Sequence, residues 1–212
     1  MLIQHSALIV IDMQRDFLDT GGYAANAGLD VSALRKPIPY ICKLLDFARS
    51  HNILVIHTRE GHRPDMRDCP PIKLARSRKA GAEVGSTGPL GRLLIRGEYG
   101  HDIIDELKPL AGEPIVDKPG YGAFHQTDLA QILDAHEIKR LLICGVTTEV
   151  CVHSTLREAV DRGYDCILVS DACGSSYPDL HDAAMQMVAI EGGIFGQVCD
   201  TQTLINELGK QR

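Results

Sequence analysis

Apolar runs and helical stripes alternate along almost the whole chain. Ala7-Leu8-Ile9-Val10-Ile11 is continuously apolar and reads as a strand buried on both faces, ending at Asp12. Asn52 to Thr58 predicts a second strand, Pro114 to Asp117 a short third, Leu141 to Cys144 a fourth and Cys166 to Val169 a fifth. Ile194-Phe195 opens a sixth. Between these runs apolar residues recur at three- and four-residue steps, the spacing of an amphipathic helix. That spacing predicts helices over Ser32–Ser50 (Ile41, Leu44, Leu45, Ala48 inward) and Thr127–Glu137 (Leu129, Ile132, Leu133 inward, Thr127 as cap). It predicts another from the Gly145–Thr148 break to Arg162-Gly163, through Val152, Leu156, Ala159 and Val160, with Cys151 in its first turn. Pro178–Ile190 and Thr201–Leu208 complete the set. Such alternation argues for a parallel sheet covered on both faces. The stretch from about 59 to 100 does not fit it, being crowded with Gly, Pro, Arg and Lys. A loop that long in a compact domain is usually functional. Gly192-Gly193 and Gly196 interrupt the last strand and predict backbone passing close to a neighbour.

The bulk properties narrow the class. A chain of 212 residues is expected to form one domain, 1–212, with a buried core. A formal charge of -6 argues against a nucleic-acid partner. No apolar run reaches the length of a membrane span, and the N-terminal residues lack a signal peptide's basic start and cleavage site. Seven cysteines, an odd number without a CxxC, suit reduced thiols in a cytoplasm better than a disulfide framework.

Three polar residues stand at or just after the C-terminal ends of predicted parallel strands: Asp12, Lys118 and Cys151. In an open α/β sheet those ends share one edge, and ligands bind there. A thiol in the first turn of a helix feels the positive end of the macrodipole, which favours thiolate. A carboxylate following five apolar residues is partly desolvated, which raises its pKa and suits it to proton transfer. A neighbouring lysine favours both anions. His153, two residues past Cys151, faces away from it on a helix and is not its partner.

Four segments together resemble the isochorismatase-like cysteine hydrolases. They are Val10-Ile11-Asp12-Met13-Gln14 with Asp16-Phe17; Asp117-Lys118-Pro119 with Gly122-Ala123-Phe124; Cys144 to Val152 (CGVTTEVCV); and Ser170-Asp171-Ala172-Cys173. The resemblance implies a three-layer α/β/α sandwich around a central six-stranded, mostly parallel sheet. It implies Cys151 as nucleophile, Asp12 as base and Lys118 as the cation that holds Asp12 and substrate. It also implies a cis peptide between Val146 and Thr147, with the backbone N–H groups of Thr147 and Cys151 forming an oxyanion hole. The reaction implied is acyl transfer through a thioester-type intermediate, without a cofactor.

Within that family Cys151 disfavours the vinyl-ether-cleaving isochorismatases. The Asp-x-His metal cluster of nicotinamidases is absent from His57-Thr58-Arg59-Glu60-Gly61-His62, where only Glu60 and His62 offer ligands, so no metal is expected. The segment from His57 to Ile103, Lys118-Pro119-Gly120 and Glu191 to Gly196 most resemble the biuret-hydrolase branch. That resemblance implies a small ureide, biuret or triuret, losing ammonia. Glu191 stands where biuret hydrolases favour Gln, and an acceptor-only carboxylate there suits a substrate presenting N–H groups, such as triuret. Arg59, Arg63, Arg67, Lys73, Arg76, Arg78 and Lys79 are the available donors to substrate carbonyls. Gln14, Asn26, Tyr121 and Phe124 are further substrate-contact candidates. The alternatives are another amidase of the family (ureidoacrylate, N-carbamoyl amino acid or nicotinamide) and a non-catalytic reactive-thiol protein. The family resemblance also implies a homodimer or homotetramer, with the long loop as the place for contacts.

Overall fold

The computed structural model describes residues 3–210. Six strands form one sheet, β1 (Ser6–Ile11), β2 (Leu54–Glu60), β5 (Ile115–Lys118), β6 (Arg140–Val146), β7 (Asp165–Gly174) and β8 (Gln197–Cys199). Their order is β5-β2-β1-β6-β7-β8, and every pairing is parallel. The sheet is therefore wholly parallel where mostly parallel was expected. Two two-residue strands, β3 (Thr87–Gly88) and β4 (Gly91–Arg92), pair antiparallel outside it.

The apolar runs explain the layers. All six residues of β1 are buried, and their side chains alternate between two cores. Leu8 and Val10 join one cluster with Ile41, Leu44 and Leu45 of α4 (Ile38–Ser50) and Leu204 and Leu208 of α9 (Thr201–Gly209). Ala7, Ile9 and Ile11 join the other with Leu129 and Leu133 of α6 (Leu129–Ala135), Leu156 and Ala159 of α7 (His153–Asp161) and Val188 of α8 (Pro178–Gly193). Each Leu or Ile so buried contributes about 1.5–3 kcal/mol, so the continuous runs hold the three layers together. Three short helices, α1 (Arg15–Leu18), α2 (Tyr23–Asn26) and α3 (Val31–Arg35), follow β1 on the α4 side. No helix among the described residues is long and apolar enough to cross a membrane.

Four expectations shift. The helix over Ser32–Ser50 divides into α3 and α4 at Lys36-Pro37, where proline has no N–H to continue the ladder. The sixth strand begins at Gln197 rather than Ile194, because Gly192, Gly193 and Gly196 hold positive φ and keep the chain turning. A Cβ on Gly196 would lie 2.3 Å from the Cys166 carbonyl oxygen, so the close approach read from the glycines is present. Cys151 sits in a wide turn, Thr148–Val152, ahead of α7 rather than in its first turn. In that turn Val152 N–H donates to Thr147 O at 3.2 Å.

The fourth concerns residues 59–100, which are a packed lid. They carry α5 (Pro71–Lys79), the β3–β4 hairpin and buried Val84, Leu93, Leu94 and Ile95. Two side chains near the end of β1 pin the lid. The Gln14 amide donates to Glu60 O and His101 O, both at 2.9 Å, and accepts from Glu60 N–H at 2.7 Å. Asp16 accepts from Leu94 N–H at 2.8 Å, and burial pushes its carboxyl up to about 6.

Candidate active site

The C-terminal ends of β1, β2, β5 and β6 meet at one edge of the sheet. Asp12 follows β1 with a left-handed φ of 51°, and Thr58 of β2 donates its hydroxyl to Asp12 Oδ1 at 2.6 Å. Lys118 is the last residue of β5. Its Nζ lies 2.8 Å from Asp12 Oδ2 and donates to Gly120 O at 3.1 Å and Tyr121 O at 2.9 Å. Two carbonyl oxygens and the Asp12 carboxylate thus surround the ammonium. Both side chains of this ion pair are wholly buried. Burial works to discharge Lys118, but Asp12, Cys151 and Glu60 outweigh it and hold the ammonium charged. Burial raises the pKa of Asp12 and Lys118 pulls it back, with a net rise.

Cys151 reaches this edge from the turn after β6. The turn needs Gly145: its φ is 120°, and a Cβ there would lie 2.1 Å from Ile11 O, inside the neighbouring strand. The Val146-Thr147 peptide is cis, as the resemblance implied. Thr155 of α7 fixes the far side of the turn, donating to Cys151 O at 2.7 Å and accepting from Ala123 N–H at 3.1 Å. The thiol is buried. Burial pushes its pKa well up, against the pull of Lys118. Burial beside two carboxylates thus opposes the thiolate expected from the helix end. Desolvation of a buried charge is the larger effect here, and Cys151 precedes α7 rather than opening it.

The thiol does not point at Asp12 alone. Cys151 Sγ donates to Glu60 Oε2 at 3.1 Å, and Glu60 Oε1 lies 2.7 Å from Lys73 Nζ of α5. Glu60 ends β2 in register with Lys118, 3.7 Å from its Nζ. Burial alone would protonate Glu60, yet Lys73 and Lys118 hold its carboxyl down at about 2. From the sequence alone Glu60 stands out only as a possible metal ligand and Lys73 only as one of several loop donors. The signal for Glu60 was the rule that found Asp12, a polar residue closing a parallel strand, applied to a strand two residues longer than its apolar run. Ligand atoms of Asp12, Glu60 and Cys151 lie within 4.8 Å of one another, the spacing of a metal set. Two lysine ammoniums already pair with these carboxylates, and the His62 ring faces Asp68 at 3.4 Å rather than Glu60.

A cavity of about 320 Å³ opens above Cys151, lined by Glu60, Thr147, Glu149 and Cys151 and walled by Phe17, Tyr23, Tyr121 and Tyr177. Tyr121 is thus where a substrate contact was expected. The other candidates are placed elsewhere. Gln14 is spent on the backbone clamp described above. Asn26 donates to Gly22 O at 2.7 Å and Gly21 O at 3.2 Å, tying up its own short helix. Phe124 is buried in the core and stacks on Tyr164 at 5.9 Å. Arg59 is paired with Asp117 at 2.7 Å and Asp102 at 2.9 Å. Glu191 is exposed at a break in α8, with φ 53°, and does not line the cavity.

Comparison with known proteins places the fold and the family. The Isochorismatase domain model matches residues 6–203. A ureidoacrylate amidohydrolase RutB from Yersinia enterocolitica is 36% identical, the match covering 95% of this chain and 88% of the relative. A RutB from Acinetobacter baylyi is 33% identical over 96% of this chain and 83% of its own. The crystal structure of a cysteine hydrolase from Pseudomonas syringae pv. phaseolicola superposes with a TM-score of 0.84 at 28% identity, covering 100% of this chain and 96% of that one. An isochorismatase family protein from Desulfovibrio vulgaris gives 0.79 at 26% identity, covering 97% and 98%. By domain match, fold and relatives, the chain belongs to the isochorismatase family of hydrolases.

Proposed function

We propose that the chain is a cysteine amidohydrolase that cleaves a C–N bond of a small neutral ureide of the biuret or triuret type and releases ammonia. Cys151 is the nucleophile. Asp12 takes its proton as the thiol attacks the carbonyl, and the amides of Thr147 and Cys151 hold the developing oxyanion. Asp12 then gives that proton to the leaving nitrogen, ammonia departs, and a thioester-type acyl group remains on Cys151. Water, deprotonated by Asp12, hydrolyses it. Lys118 balances the charge on Asp12 and keeps it in place throughout.

One observation carries the choice of substrate. Besides the Cys151 thiol, the ionisable side chains lining the cavity are carboxylates and phenols, with Glu60 and Glu149 among them and no Arg or Lys among the described residues that line it. Glu149 Oε2 is buried without a hydrogen-bond partner among the described residues. Carboxylates accept hydrogen bonds only, so this wall suits an uncharged molecule rich in N–H groups; Lys73 and Lys118 balance Glu60, so what disfavours an anion is Glu149. A second reading, ureidoacrylate, is favoured by the names of the relatives. Its carboxylate would have to lie towards a neighbouring basic cavity of about 430 Å³, which Arg67, Lys73 and Arg76 line and which shares Tyr121 with the first.

Ammonia release from biuret, triuret, ureidoacrylate, N-carbamoylsarcosine and nicotinamide separates the two. The neutral ureides are expected to exceed the carboxylate-bearing substrates in kcat/KM by about tenfold or more, the effect of one like charge in a partly buried site. Ureidoacrylate turning over fastest would replace the first reading with the second. We also propose a homo-oligomer, supported by the exposed apolar side chains Leu180, Met187, Ile190 and Ile194 on and after α8.

A further inference from the structure

We propose that Glu60, tethered by Lys73, holds the Cys151 thiol protonated in the resting site and gives up that hydrogen bond to a substrate N–H, so that the thiol proton then passes to Asp12. The proposal rests on the reading of Cys151 as nucleophile and adds a gate to it.

The geometry has three parts. First, the thiol has two carboxylates in reach, and the hydrogen bond it makes at rest goes to Glu60 at 3.1 Å. Second, Glu60 is fixed rather than adaptable. Lys73 Nζ lies 2.7 Å from its Oε1, donates to Pro119 O at 2.6 Å and stands 5.0 Å from the centre of the Tyr121 ring. Lys73 is buried although it belongs to the lid helix α5, so a residue of the lid completes the charge set of the catalytic edge. Third, Glu60 lines the cavity, so a donor that arrives with the substrate comes within reach of its carboxylate.

Charge counting explains why two lysines are present. Asp12 and Glu60 carry two negative charges, Lys118 and Lys73 two positive ones, and the thiol none. Moving the thiol proton to Asp12 breaks S–H and forms O–H, and the set remains neutral before and after. Glu60 stays ionised because two cations flank it, while burial makes Asp12 the better proton acceptor. Paired carboxylates whose environments drive their pKa values apart divide the roles in this way. Glu60 serves as the hydrogen-bonding anion and Asp12 as the base. An N–H of the scissile amide or its neighbour satisfies Glu60 in place of the thiol. A molecule without N–H at that point leaves Glu60 bonded to the thiol and Asp12 without its proton.

The groups facing the thiol are Asp12 after β1, Glu60 at the end of β2, Lys118 at the end of β5 and the phenols of Tyr23 and Tyr121. Only Glu60 and Lys73 are altered in the test. The rate at which iodoacetamide alkylates Cys151 is measured at about pH 8 by mass spectrometry of the peptide that contains it. Glu60→Gln removes an anion beside the thiol, and the rate is expected to rise about tenfold or more. Lys73→Met removes a cation and is expected to lower it about tenfold or more. The double variant restores the charge balance and is expected to return near the starting rate. Opposite shifts that cancel are the signature of a charge pair. A merely structural role moves both single variants the same way, since loosening the site exposes the thiol in each. Shifts in one direction, or no shift in either, would overturn the proposal. The experiment uses no substrate, so its failure is distinct from a failure of the substrate reading.

Discussion

Cys151→Ser is expected to lose ammonia release by on the order of 10⁴-fold or more while the fold is retained. Losing the nucleophile of a set that acts as a unit costs about as much as losing the whole set. Serine is close in size to cysteine and uncharged, so the buried edge remains neutral and filled. Its hydroxyl is a far weaker acid than a thiol, and Asp12 cannot take its proton at a useful rate. The ring of partners is otherwise intact: Thr155 still holds the Cys151 carbonyl, and Lys118 still holds Asp12. Steady-state ammonia release, with circular dichroism and thermal melting as controls on folding, gives the answer. Undiminished turnover in a folded variant would remove the covalent mechanism altogether.

Lys118→Met is expected to be the most destabilising single change at the site, by about 3–5 kcal/mol. The reason is what remains behind. Asp12 and Glu60 are both buried at this edge, and Lys118 is the cation that touches Asp12. Gly120 O and Tyr121 O also lose their ammonium donor. Breaking a buried pair leaves an uncompensated charge, whereas removing both partners does not. Asp12→Asn in the same background is therefore expected to recover part of the loss. Urea unfolding measures it, and the melting temperature should fall by about 10 °C for a chain of this size. A loss below about 1 kcal/mol would mean that the ion pair does not hold the strand ends together.

Much of this edge was legible in the sequence because a parallel sheet buried on both faces writes itself as unbroken apolar runs. The first polar residue after such a run marks a strand end, and that rule placed Asp12 directly, while Lys118 stands one residue past Asp117, where the third run meets its first polar side chain. Glu60 obeys the same rule but was hidden. β2 continues past its apolar run through Arg59, whose charge is paired with Asp117 and Asp102, so the strand appeared to stop at Thr58. Lys73 carries no local signal at all, since its place is fixed by how α5 packs back onto the end of β5. Gln14 and Asn26 illustrate the opposite error. Both have the right chemistry to bind an amide, yet each is used up on backbone carbonyls. Phe124 follows the same logic as an aromatic that the core claims, and Glu191 stands exposed at the break in α8, outside the cavity lining. The protonation state of Cys151 was the least legible feature. It depends on burial beside two carboxylates, which only the folded chain brings together.

The central claim is that hydrolysis passes through an acyl group on Cys151. Enzyme mixed with a turned-over ureide, quenched in acid within the first turnover and digested, should carry one added acyl group on the peptide containing Cys151. The same treatment of Cys151→Ser should leave that peptide unmodified. Ammonia released by the wild-type protein with no adduct on Cys151, or with the adduct on another residue, would contradict the account.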